Sequence, residues 1–318
     1  MRARICATSS WVPDEVLTNK DLEKMVDTSD EWIRTRTGIR ERRIADPKLS
    51  ASEIAWLATK DIAEEQIDLI IVSTSTPDHI FPSTACLLSD RLGLSNVACF
   101  DLSAACAGFI YALECGRRFI ETGGAKCALI VASETTSKII NWKDRTTCVL
   151  FGDGAGAALL KPSKNSGICG TYINTQAKLA DILKIPAGGS KLPASHQTVE
   201  ENLHTIIMNG QEVFKSAVLA MVEAVERVLE LCSLSIGEID LFIPHQANIR
   251  IINLLAKRLG IPKRKVFLNL DRYGNMMSAS PIVALDEAAK SGRIEDGSLI
   301  LIVAVGGGIT YGAVVIEW

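Results

Sequence analysis

The chain lacks the long apolar stretch that would cross a membrane: its greasiest runs, near residues 128–132 and 299–305, are only strand-length. The first residues, Met1-Arg-Ala-Arg-Ile-Cys-Ala-Thr, carry no apolar segment followed by a cleavage site, which argues against secretion. No long run of like charge occurs, and 34 Lys plus Arg against 37 Asp plus Glu leave a formal charge of −3. Nucleic-acid and membrane-surface proteins are usually more basic, so neither partner is expected. C-x-x-C spacing is missing, and only 4 histidines are present. Neither a zinc site nor another metal centre is therefore indicated. The 9 cysteines are an odd number without a disulfide framework, a pattern suited to a reducing compartment such as the cytoplasm. G-K-[ST] and G-x-G-x-x-G are absent too, which removes the usual phosphate and dinucleotide loops.

What is present is a large core and an internal repeat. Hydrophobic residues make up 47% of 318 positions, enough for two ordinary domains or one duplicated unit. Ile67-Asp-Leu recurs as Ile239-Asp-Leu, and Leu129-Ile-Val-Ala as Leu301-Ile-Val-Ala, both 172 positions later. Cys99-Phe-Asp-Leu has a counterpart in Phe267-Leu-Asn-Leu, and each half closes on a Gly-rich strand. Matches in one order point to duplication, with halves 1–168 and 169–318. Apolar runs of four to seven residues alternate with 3.6-period segments, which predicts layered α/β structure with strands covered on both faces. The segment 105–120 is apolar around much of its circumference and belongs inside. Segments 208–231 and 249–259 are amphipathic and belong nearer the outside, while 163–205 has weak periodicity and no assignment.

Cys106 stands where a strand ending at Leu102 meets the start of the inner helix, among Ser103, Ala104, Ala105, Ala107 and Gly108. A helix N-terminus lowers a thiol pKa and stabilises an oxyanion, and small neighbours leave room for a carbonyl. An arbitrary cysteine is more often a small buried apolar residue, and the other eight keep that reading. His245 follows the strand 239–243 in Pro-His-Gln-Ala-Asn, at a strand end where α/β sites collect. Alone it would more often be structural, as His79, His196 and His204 are taken to be. Asn275, in Tyr273-Gly-Asn-Met-Met-Ser, falls in the second half near the position that matches Cys106 in the first. Gly306, Gly307 and Gly308 permit close backbone approach, as an oxyanion hole or a plain turn.

Taken together these motifs resemble the condensing enzymes of the thiolase superfamily, most closely the β-ketoacyl-[acyl-carrier-protein] synthase III family. The resemblance runs from Thr28-Ser-Asp-Glu-Trp through Phe81-Pro-Ser, Ala105-Cys-Ala-Gly, Phe151-Gly-Asp-Gly-Ala-Gly, Met208-Asn-Gly and Pro244-His-Gln-Ala-Asn to the triple glycine, leaving out only 163–205. It implies a five-layer αβαβα sandwich, a homodimer, and a Cys106, His245, Asn275 catalytic set with an oxyanion hole at the N–H groups of Cys106 and Gly307. It further implies acyl-CoA and malonyl-acyl carrier protein as substrates, no bound cofactor, and a cytoplasmic site, or a plastid stroma for a mature plastid form. By the same resemblance Thr28, Trp32, Arg36, Arg145 and Asn248 line the coenzyme A tunnel. Lys215, Gln246, Ala247, Asn248, Ile249, Arg250 and Lys257 form the carrier-protein site, although the residues alone favour a solvated basic face for the charges. Phe81 reaches the partner subunit's acyl pocket. Met276 and Met277 stand where the family has small polar residues, and Val305 where it has phenylalanine; all three are expected to shape the acyl pocket. A secondary-metabolite condensing enzyme and a non-catalytic thiolase-fold partner are the rival readings, the second disfavoured by the retained Cys106.

Overall fold

The computed structural model describes residues 1–63 and 66–318. Its first sheet is built from β1 (Arg2–Trp11), β2 (Leu69–Ser73), β3 (Ala98–Leu102), β4 (Ala128–Glu134) and β5 (Gly154–Ser163), in the order β1-β5-β4-β2-β3. The second is built from β6 (Gly167–Thr175), β7 (Leu241–Pro244), β8 (Leu299–Gly306) and β9 (Thr310–Glu317), in the order β7-β8-β9-β6. The connectivity repeats. β1 and β6 pair antiparallel with β5 and β9, which pair antiparallel with β4 and β8, which pair parallel with β2 and β7. Where the first sheet adds β3 beside β2, the second has only a parallel bridge between Phe242 and Val266.

Strands such as β2 and β8 read as apolar runs because both their faces are covered, whereas β1, β3 and β6 stay partly exposed. In β2, Leu69 and Ile71 face a central core while Ile70 and Val72 face an outer one. In β8, Ile300, Ile302 and Ala304 face the centre, and Leu301, Val303 and Val305 face outward. Each such fully buried Leu, Ile or Val contributes roughly 1.5–3 kcal/mol. Helices α1 (Ala51–Thr59) and α2 (Thr84–Arg91) cover the outer face of the first sheet. Helix α3 (Gly108–Glu121) lies between the sheets, touching strands of both. Helices α4 (Gly210–Cys232) and α5 (Ile249–Leu259) form the outer layer of the second half. Helix α6 (Ala279–Lys290) joins α3 in the middle. The result is five layers, α1/α2, sheet, α3/α6, sheet and α4/α5.

Residues 163–205, unassigned from sequence, contain β6, a 3-10 segment Ala177–Ile182, a two-residue strand Leu183–Lys184 and a short helix His196–Glu200. Leu183–Lys184 pairs with Ile207–Met208, closing a small ribbon.

One buried cation ties the N-terminal segment to the body. Arg42 is fully buried, and its guanidinium donates to the Leu17 carbonyl (3.1 Å), Asn19 Oδ1 (2.9 Å) and the Val149 carbonyl (2.8 Å). Burial pulls its pKa down to about 10, so it stays charged at neutral pH. Among the described residues no carboxylate reaches it; three oxygen acceptors carry the charge. Substitution Arg42→Met strips all three of their donor and should lower unfolding free energy by about 3 kcal/mol, read as a fall in the urea midpoint at unchanged slope. Arg42→Lys, with one compact ammonium, should recover only part of that loss.

Candidate functional site

Local sequence fixes where each reactive side chain stands. After β3, Ala105 takes a left-handed backbone (φ 45°) and Cys106 follows in the 3-10 turn Ala105–Ala107, which runs into α3 at Gly108. Gly306 is what lets this turn approach the second half: a Cβ there would strike the Cys106 amide nitrogen and stand 2.9 Å from the Ala105 Cβ. His245 extends β7, its N–H donating to the Val303 carbonyl at 2.7 Å. Asn248 then caps α5, accepting from the Arg250 N–H at 2.8 Å, and Gly260 ends that helix in the left-handed conformation. Asn275 is held by backbone pairing across the halves: its N–H donates to the Leu150 carbonyl (2.8 Å) and its carbonyl accepts from the Gly152 N–H (3.0 Å). Gly274 (φ 64°) permits this, since a Cβ would press on the Leu150 carbonyl at 2.8 Å.

Cys106, His245 and Asn275 open on one cavity of about 460 Å³, together with Val305, Gly307 and Met277. Its remaining wall is mostly apolar: Ile139, Val149, Leu150, Phe151, Leu183, Ile185, Ile206, Met208, Val213, Phe214 and Ala217. Two of these, Leu183 and Ile185, come from the segment that sequence periodicity could not read. Their spacing serves a cavity and a two-residue ribbon, and so leaves no helix or strand period. Trp32, Arg36, Thr146, Asn248 and Arg250 make the mouth more polar. Among the described residues no group of three His, Cys, Asp or Glu could hold a metal ion.

The electrostatics depart from the sequence expectation at the nucleophile. Cys106 is buried, 5% exposed, and burial raises its thiol pKa well above the ordinary value; the Glu134 carboxylate adds to the rise, and a backbone N–H opposes it weakly. A helix N-terminus alone does not make a resting thiolate when desolvation is this complete. His245 is pushed down to about 4 by burial, with Nδ1 buried and unpartnered. With no carboxylate among the described residues raising the His245 value, the resting states are thiol and neutral imidazole. The Asn275 side-chain oxygen accepts from the Met277 N–H (2.9 Å), which leaves its NH₂ group to donate.

Other expected site residues fall differently. Gln246 is fully buried and spent internally, donating to the Pro244 and Phe267 carbonyls and accepting from the Asn269 and Leu270 N–H groups. It cannot meet a partner, because this side chain locks the strand-to-helix turn. Met276 does not line the cavity: it is fully buried in the central core, its sulfur against Gly154. Met277 and Val305 do line it. Thr28 is off the cavity wall with its hydroxyl buried and unpartnered. Arg145 is off the wall as well, but its guanidinium stacks 5.3 Å from the Trp32 ring and donates to the Asp27 carbonyl (2.7 Å). A base entering between Trp32 and Arg145 would have to part them. Ile249 is half-buried under Gly38, whereas Lys215, Arg250 and Lys257 are exposed, and Arg250 lies over the Phe214 ring. Phe81 is 85% exposed on its own loop and does not reach this cavity.

The repeat also resolves which residue truly corresponds to the nucleophile. Ala105 and Met277 are both non-glycine residues with positive φ (45° and 47°), and they stand 172 positions apart. The counterpart of Cys106 is therefore Ser278, not Asn275, which lies three residues earlier.

Comparisons with known proteins agree with this geometry. The model of the 3-oxoacyl-[acyl-carrier-protein] synthase III family matches residues 100–177, and the model of its C-terminal region matches 229–318. A β-ketoacyl-[acyl-carrier-protein] synthase III from Caldanaerobacter subterraneus subsp. tengcongensis is 54% identical, covering 99% of this chain and 98% of that protein. The crystal structure of 3-oxoacyl-[acyl-carrier-protein] synthase III from Aquifex aeolicus VF5 is 46% identical with a TM-score of 0.92, covering 99% and 100%. The priming β-ketosynthase of the R1128 polyketide pathway is 35% identical with a TM-score of 0.91, covering 99% and 96%.

The neutral state of His245 has a measurable consequence. Its folded value near 4 lies below the ordinary 6.5, so the folded chain binds this proton less readily than the unfolded chain. The corresponding stability is complete above pH 6.5 and disappears as pH falls toward 4. Urea unfolding at pH 7, 5.5 and 4 should show the parent losing about 3 kcal/mol more than His245→Gln across that window. Parallel curves for the two would contradict the assignment.

Proposed function

Because the chain belongs to the 3-oxoacyl-[acyl-carrier-protein] synthase III family, we propose that Cys106, His245 and Asn275 carry out the two half-reactions of its condensation. The chain is a condensing enzyme of acyltransferase type that initiates fatty-acid synthesis, with the thiolase-like αβαβα fold. The observation that carries the division of roles is the single cavity bringing a thiol from one half to an imidazole and a carboxamide from the other.

In the first step the Cys106 sulfur attacks the thioester carbon of a short acyl-CoA. A new C–S bond forms, the bond to coenzyme A breaks, and the thiol proton leaves with the departing sulfur. In the second, malonyl-acyl carrier protein enters and its C–C bond to the carboxylate breaks, releasing CO₂. Negative charge gathers on the thioester oxygen, where neutral His245 and the Asn275 NH₂ donate hydrogen bonds in a largely apolar enclosure. The carbanion attacks the acyl-cysteine carbonyl, the new C–C bond forms as the C–S bond to Cys106 breaks, and the thiolate so released takes a proton from solvent to regain the resting thiol. Backbone N–H groups of Cys106 and Gly307 serve the tetrahedral oxyanion in both transfers. This reading uses no metal, nucleotide or bound redox cofactor.

Trp32, Arg36 and Asn248 at the mouth, with Arg145 against Trp32, suit a flat phosphorylated group, and acyl-CoA is assigned there. Exposed Arg250, Lys257 and Lys215 offer positive charge beside it to an acidic carrier protein. We assign the two repeats as dividing ahead of β6 (Gly167–Thr175), two residues before the 168/169 boundary expected from the sequence, and a homodimer as the assembly, the latter supported by the open edge strand β3 and by Ile80 and Phe81, 89% and 85% exposed. Among the described residues no helix is long and apolar enough to cross a membrane, and the cytoplasm is the proposed location.

Cys106→Ala should abolish the acyl mass that acetyl-CoA adds to the parent in intact-protein mass spectrometry. His245→Ala and Asn275→Ala should keep that mass yet lose about 10²–10³ in condensation rate. Equal loss of both half-reactions in either variant contradicts the division of roles. Reversing charge in Lys215→Glu/Lys257→Glu, both off the cavity wall, should raise the KM for malonyl-acyl carrier protein severalfold while leaving acyl loading within twofold; an unchanged KM would remove these residues from the docking face.

A further inference from the structure

Glu134 ends β4 as a fully buried carboxylate that the condensation chemistry leaves without a task. One oxygen accepts from the Ser278 hydroxyl; the other accepts from the Ser75 N–H (3.0 Å) and the Thr76 hydroxyl (3.3 Å). Neither Glu134 nor Ser278 lines the reaction cavity, but Ser75 does, and so does Met277, the residue before Ser278. Three residues upstream of Ser278 is Asn275, whose side-chain oxygen is fastened to the Met277 N–H. The carboxylate thus grips one wall of the cavity through Ser75 and the Asn275 loop through Ser278.

Its place in the repeat sharpens the point. With the 172-residue offset, Cys106 maps to Ser278, His245 to Ser73 and Gly306 to Glu134. In the working site Gly306 lies against the Cys106 backbone; in the mirror position Glu134 bonds Ser278, whose hydroxyl also faces the Ser73 carbonyl at 3.4 Å. The mirror site is filled by a hydrogen-bonded buried cluster instead of a cavity. We propose that Glu134 is a positioning residue, latching Ser278 and Ser75 so that the Asn275 loop is held in register for the decarboxylation step, without contact to substrate. Burial raises its pKa to about 7 against the pull of its donors.

The proposal rests on the functional reading above, and its test separates the two. Glu134→Ala and Ser278→Ala should each lower condensation with malonyl-acyl carrier protein at saturating substrate by about tenfold or more, while acyl loading of Cys106 stays within twofold of the parent. Glu134→Gln, able to accept from Ser75 and donate to the Ser278 oxygen, should restore most of the condensation rate. Loading and condensation falling together, or neither changing, would overturn the latch, as would a Glu134→Gln variant no better than Glu134→Ala. If Glu134→Ala fails to fold, the one-hydroxyl change Ser278→Ala decides. The parent run alongside reports on the reaction itself: no acyl mass on its Cys106 would count against the functional reading, whereas an active parent with undisturbed variants counts only against the latch.

Discussion

Backbone contact between the two halves is the constraint from which the site follows. The Gly306 end of β8 lies against the amide of Cys106, and Leu150 and Gly152 pair with Asn275. Each half therefore presents its reactive residue on a loop seated in the other half. Neither contact tolerates a side chain: one requires Gly306, the other Gly274, and both depend on α3 and α6 holding the sheets at a fixed separation. The core sets the distance and the glycines set the closeness.

Burial then governs chemistry as much as it governs stability. The same desolvation that makes the central layer cohesive keeps Cys106 a thiol, His245 neutral and Glu134 close to half-protonated near pH 7. A neutral imidazole and a carboxamide are donors without net charge, so they can stabilise an enolate oxygen without first incurring the cost of a buried ion. The nucleophile needs no resting charge either, since its proton can depart with the leaving group. The site is prepared by geometry and by exclusion of water, with charge appearing only during reaction.

Much of this was legible in the chain. The strand runs, the inner helix and the repeat follow from apolar periodicity and recurring strings, whereas Cys106 and His245, each bland when read alone, stood out only through the family resemblance; the structure puts both on one cavity wall. What escaped was set by tertiary context. Gln246 reads as an exposed polar residue after a strand, yet four internal hydrogen bonds consume it. Met276 and Met277 are adjacent, and only the left-handed turn at Met277 decides that one enters the core and the other the cavity. Leu183 and Ile185, in the weakly periodic segment, answer to a cavity surface and a two-residue ribbon rather than to a long helix or sheet face.

The crossed repeat bears on ancestry. A faithful duplication of one half would place two equal centres in one chain. Here one centre stayed hollow and reactive while its twin was bricked up with serines and a glutamate, so a separated half would inherit only part of a catalyst and none of the bracing that aims it.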